Sequence, residues 1–266
     1  MRKLSLDAFT LKLIALISMG VHHTVMVLWK VFPIWVHLPM YVIRGVTFPI
    51  MAFFLVEGFR RTSNLKKYMI RLLIFAAIAQ IPYMIALGLP TLNIIFSILI
   101  GLICLALYDK LYVNERRYVL FTAIFFAILL VSAMITEGGF FGIILIFLYH
   151  IIGDEKRRRT LPLVFWGAIL VVSSVFTRVS YYLIPEMEEM EALVGVQGVT
   201  GLELMLAPYF VFPVAPFILI PLLRSYNGQL GRRAKYLFYA FYPVHFAILA
   251  IIALALGLTS FSLFSL

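Results

Sequence analysis

Two histidines stand side by side in an otherwise apolar run. His22 and His23 sit in LKLIALISMGVHHTVMVL, residues 11–28. Imidazole is costly in hydrocarbon, so within a membrane it faces protein or a wet cavity and marks a functional site by default. Near neutral pH such a ring can act as a general base or as a nucleophile. Arg44, Asn93 and His245 also interrupt apolar runs. A helix rises about 1.5 Å per residue, which puts His23 about 16 Å above an entry near Lys12 and His245 about 14 Å above Tyr236. On the same scale Arg44 and Asn93 each stand about 22 Å above the inner ends of their helices at Phe59 and Tyr108. Those depths allow the four groups to converge. Arginine stays charged, so Arg44 faces inward or snorkels to the outer surface. Arg44 and Asn93 are both donors suited to a developing oxyanion. Asn93, Ser97 and Gly101 recur at i, i+4 and i+8, a small polar stripe that also suits plain helix packing.

A second constellation is charged. Glu57, Arg60, Arg61, Lys66, Lys67, Tyr68 and Arg71 crowd around one loop. Such a group binds anionic lipids, or it holds a phosphorylated ligand from the cytosol. Glu137 and Glu203 fall at the outer ends of helices and read as interfacial. No metal site is assigned.

The elements that must position these groups are read from composition. Of 266 residues, 64% are hydrophobic and 13% charged, against about 45–50% and about 25% in a soluble domain. That excess predicts an all-α, polytopic membrane helix bundle, one domain over residues 1–266. Its single cysteine, Cys104, excludes an internal disulfide framework. The net charge of +10 is confined to short loops between apolar runs, which points to the positive-inside rule rather than to nucleic acid. Arg2 and Lys3 precede a long apolar run without a small-x-small cleavage site, so it reads as a retained first helix.

Runs of roughly 20 apolar residues mark membrane spans. Nine are expected, near residues 11–31, 39–59, 68–87, 91–108, 118–135, 140–152, 161–183, 201–223 and 236–258. The eighth holds Pro208, Pro213, Pro216 and Pro221 and should be kinked or broken. With the N-terminus in the cytoplasm and the C-terminus outside, most of the 22 Lys and Arg residues fall inside, and the acidic EMEEME of Glu186–Glu191 falls outside.

Five stretches, in order, resemble the TraX family of integral-membrane acetyltransferases, whose namesake acetylates the N-terminus of conjugative pilin. They are LKLIALISMGVHH, RGVTFPIMAFFLVEGFRRT, KYMIRLLIFAAIAQIPY, NIIFSILIGL and KYLFYAFYPVHFAIL. The resemblance covers the first 110 residues and the stretch near the C-terminus; between them only hydropathy and the GGFFGIIL turn match. It implies a multi-pass protein of the cell membrane that moves acetyl from cytosolic acetyl-CoA to a peptide, an amine or a glycan hydroxyl. It implies a catalytic group of His23, His22, Arg44, Asn93 and His245, and a donor site of Glu57, Arg60, Arg61, Lys67 and Arg71. In the family pattern an aspartate precedes the first-helix histidine; here His22 takes its place. An aspartate there would hold the imidazole tautomer or raise its basicity. Rival readings of the same residues are a small-molecule transporter, a non-catalytic assembly factor, and an acetyltransferase that has lost its chemistry.

Overall fold

The computed structural model describes residues 5–112, 115–183 and 214–258. They form ten helices: α1 (Ala8–Val27), α2 (Ile34–Arg61), α3 (Leu65–Leu87), α4 (Ile94–Leu111), α5 (Glu115–Ile135), α6 (Gly139–Ile151), α7 (Glu155–Arg158), α8 (Leu161–Leu183), α9 (Ala215–Arg224) and α10 (Lys235–Ala255). Six of them are long and apolar enough to cross a membrane: α1 to α5 and α10. The described residues are therefore those of a helical membrane protein. Each of the nine expected runs has a helix with described residues. The acidic 186–191 segment, Glu203, Pro208 and Pro213 lie outside the described residues.

Polar residues set the helix starts. Asp7, Asn64, Asn93 and Asp154 each accept a backbone N–H from the first turn of α1, α3, α4 and α7, meeting donors that a helix cannot satisfy internally. Two boundaries differ from expectation. The first helix ends at Val27 rather than Val31, and the fourth starts after Asn93, which is its cap rather than a residue within it. The second helix is longer than expected, because Pro39 and Pro49 stay inside it.

Consecutive long helices run in opposite directions, and their basic loops meet at one end of the bundle. There Leu6 N–H donates to Ser225 O and Asn227 N–H to Leu6 O, both at 2.9 Å, joining the N-terminus to the 225–234 loop. Arg60 reaches His150 O at 2.6 Å, and Arg224 reaches the Thr160 hydroxyl. At the opposite end the α5–α6 turn docks on the α3–α4 turn: Leu92 N–H donates to Ile135 O and Glu137 N–H to Leu92 O. The core gathers α1, α2, α3, α4 and α10, with α6, α8 and α9 adding a few buried residues. In contrast α5 presents Phe126, Leu130 and Met134 outward, as a lipid-facing helix does.

Close helix approach rests on missing side chains. A Cβ added at Gly101 on α4 would stand 2.6 Å from Cδ1 of Ile146 on α6. Ile146 is fully buried, its stiff χ1 also holds Cγ2 at 3.3 Å, and it has little room to give. Ser97 accepts from Gly138 N–H. The Asn93–Ser97–Gly101 stripe is therefore a packing face.

Gly101→Leu should cost about 1–3 kcal/mol through overpacking, read as a lower unfolding midpoint in detergent. A second expectation concerns Asp7. The Thr10 backbone N–H, and then its side chain, hold the Asp7 carboxyl below its ordinary 3.8. A depressed carboxylate contributes stability that is complete above the unfolded pKa and lost as pH falls through the folded one. Asp7→Asn keeps a capping oxygen without a titrating proton. Its midpoint should run parallel to the wild type above pH 3.8, and the wild type should fall faster below it.

Candidate active site

The first and last described helices meet at their histidines. His23 Nδ1 lies 2.9 Å from His245 Nε2. His245 Nδ1 lies 2.9 Å from Phe241 O, one turn back on α10. A carbonyl only accepts, so His245 Nδ1 carries a hydrogen and, in the neutral ring, Nε2 carries the lone pair. His23 Nδ1–H then donates to it. Neutral His23 is left with its lone pair on Nε2, the arrangement of a general base. Phe246 packs on both rings, at 4.6 and 4.3 Å between centroids. The missing aspartate thus has a substitute: His245 and one backbone carbonyl fix the His23 tautomer.

His22 and His23 both line a cavity of about 950 Å³. Arg44, Arg61 and Arg71 line it too, but Asn93 and His245 do not. Arg44 shares the cavity wall with His22, His23 and Glu137. Asn93 is fully buried. Its oxygen caps Ile95 N–H, and its amide donates to Ala76 O and to Gln80 Oε1. Both amide hydrogens are engaged, so the fold gives Asn93 a capping role rather than an oxyanion-binding one.

Glu137 escaped sequence reasoning. It is not an interfacial residue: the α5–α6 turn carries it inward onto the cavity wall, where Oε2 accepts from Ile94 N–H at 3.1 Å. No other carboxylate lines the cavity among the described residues. The signal available was a glutamate held in a two-glycine turn between apolar helices.

Toward the basic end the cavity is lined by Lys12, Arg61, Arg71, Arg232 and Arg233. Lys12 lies over the rings of Phe54 and Phe238, at 4.9 and 5.5 Å. It shares a helix face with His23, since eleven residues is about three turns. That spacing was legible but marked only a helix entry. Arg232 and Arg233 belong to the basic loops that the charge pattern assigns to one side of the membrane. Of the expected donor-site residues, Arg60 and Lys67 lie off the cavity. Glu57 is a clamp: its two oxygens take Arg61 at 2.9 Å and Arg158 at 2.6 Å. It orients Arg61 and anchors the 152–160 loop. Arg159 secures the same loop through Tyr226 O and Glu155.

Comparison with known proteins gives the family. A family model described as "TraX protein" matches residues 7–253. A protein of Dichelobacter nodosus named "Probable fimbrial assembly protein FimC, serogroup H1" is 28% identical over 273 residues, covering 93% of this chain and 96% of that protein. No solved structure matches.

Arg158→Ala removes the charge-assisted hydrogen bond to Glu57 Oε1 and leaves the carboxylate paired with Arg61 alone. It should cost about 1.5–3 kcal/mol, read by unfolding in detergent. Arg60→Ala, which removes only an exposed contact to a carbonyl, should stay within about 0.5 kcal/mol of the wild type.

Proposed function

The chain belongs to the TraX family, and from that premise we propose that it is a membrane-bound acetyltransferase moving an acetyl group from cytosolic acetyl-CoA to an amine or hydroxyl acceptor. One observation carries the reading: a histidine with its tautomer fixed and Nε2 unprotonated lines a cavity that extends to a cluster of bases. CoA carries its phosphates at one end and its thioester at the other. The phosphates suit Lys12, Arg61, Arg71, Arg232 and Arg233, and the thioester suits the neighbourhood of His23. The bundle is read with nine spans, the N-terminus and basic loops in the cytoplasm and the C-terminus outside, in the cell membrane. Anionic lipids match the remaining exposed bases.

In this reading the acceptor's N–H or O–H loses its proton to His23 Nε2 as the nucleophile attacks the thioester carbon. The new bond forms, the carbon–sulfur bond breaks, and the proton passes from the imidazolium to the departing thiolate. Charge on the thioester oxygen is met by the Arg44 guanidinium. His245 touches neither reactant; it is a positioning residue.

The relative's name favours one rival, a non-catalytic assembly factor, and directs the acceptor panel toward pilus-subunit peptides. Purified protein with labelled acetyl-CoA and such peptides, amines and glycans, followed by mass spectrometry, separates the two. His23→Ala should abolish transfer while the protein still folds and inserts. His245→Ala should lower kcat by about 10² or more. Arg61→Ala with Arg233→Ala should raise the KM for acetyl-CoA and leave kcat nearly unchanged. Absence of both transfer and acetyl-CoA-dependent stabilisation in the wild type would favour the assembly factor.

A further inference from the structure

The transfer step leaves His22 unused, and the fold leaves its ring without a hydrogen bond. Other polar groups on the cavity wall are engaged: Glu137 caps Ile94, Arg61 is held by Glu57, and Lys12 lies over two aromatic rings. His22 is 8% exposed and lines the cavity, yet neither ring nitrogen meets a hydrogen-bond partner among the described residues. Its neighbour is committed, since His23 Nδ1 meets His245 on α10. Successive helical residues point about 100° apart, so the contact that locks His23 does not serve His22. The backbone between them and α10 is firm. A Cβ at Gly20 would stand 3.2 Å from Phe241, and the Thr24 hydroxyl donates to Gly20 O at 2.7 Å. Both imidazoles therefore project from a seated stretch of α1.

A neutral imidazole carries one N–H and one lone pair. Nothing in the fold selects the tautomer of His22, so its hydrogen can stand on whichever nitrogen faces an incoming acceptor. The rings of His22 and His23 lie 5.3 Å apart between centroids, with planes inclined at 56°. Hydrogen bonds of about 2.8 Å from each reach the two ends of a single reacting group. We propose that His22 donates its N–H to the carbonyl oxygen of the thioester while His23 Nε2 takes the acceptor's proton. The assignment rests on the acetyl-transfer reading. As the acceptor attacks, the carbonyl π pair moves onto oxygen, and the hydrogen bond from His22 strengthens with the growing charge. No proton leaves His22. When the pair returns, the carbon–sulfur bond breaks and the departing thiolate takes the proton held on His23. Arg44 supplies charge from the same wall, and His22 supplies a directed donor.

Two CoA compounds test this without an acceptor. S-ethyl-CoA lacks the carbonyl oxygen of acetyl-CoA, and both dissociation constants are read by calorimetry in detergent. The wild type should prefer acetyl-CoA by about tenfold, the worth of one good hydrogen bond. His22→Phe should bind the two alike, and His22→Gln, which keeps an N–H, should retain part of the preference. A second reading starts from the wild type alone. The isotope-edited carbonyl stretch of bound [1-13C]acetyl-CoA should lie below that of equally labelled S-ethyl thioacetate in hexane, and His22→Phe should raise it. An equal preference in wild type and His22→Phe, or a wild-type stretch at the hexane value, overturns the role of His22 and leaves acetyl transfer standing. Failure of the wild type to bind either CoA compound sinks acetyl transfer and the role with it.

Discussion

A neutral imidazole holds one ring hydrogen, and the Phe241 carbonyl decides where two of them go. That oxygen can only accept, so it fixes His245, and His245 fixes His23. The rest of the arrangement serves this short chain of donors. Inside an apolar bundle an unpaired ring nitrogen is expensive, so the preference for one tautomer is stronger than it would be in water. Phe246 packs against both rings and holds their planes. An aspartate in place of His22 would bring a negative charge into the same apolar setting. The histidine relay achieves the same orientation with neutral groups.

The charged groups follow a related economy. At the basic end Glu57 is shared by two arginines, one facing the cavity and one in the 152–160 loop. Buried ion pairs add little net stability, because desolvation offsets attraction. What this one supplies is position, since a single carboxylate ties the C-terminal end of α2 to a loop that Arg159 and Arg224 hold from the other side. The 225–234 loop is tied in the same way to the N-terminus, where Gly231 takes φ +67° and a Cβ would collide with Asp7. Arg232 and Arg233 reach the cavity only because that loop is held down.

Much of the scaffold was legible in the sequence because hydropathy reports lipid exposure directly. The apolar runs located the helices, and the basic loops located one end of the bundle. The histidines were legible as polar groups at depth, and their estimated heights agree with their meeting. Three features were not legible, each for a physical reason. Asn93 looks like a buried donor in a one-dimensional pattern, but only the docking of α3 on α4 shows its amide consumed by Ala76 and Gln80. Glu137 looks interfacial because a turn normally faces water, and only the α3–α4 contact folds this one inward. Arg232 and Arg233 lie far along the chain from Lys12, and hydropathy carries no record of which loops meet.

The distance along the chain between the paired histidines has its own consequence. His23 and His245 are separated by 222 positions, so the ribosome releases one long before the other. A nascent chain can insert its first helix, and even form much of the lower cavity, with the His23 ring still free to turn over. The relay closes only after α10 has left the exit tunnel and docked against α1 and α3. Chains stalled before that point would sit in the bilayer with their basic wall incomplete and the His23 tautomer unset.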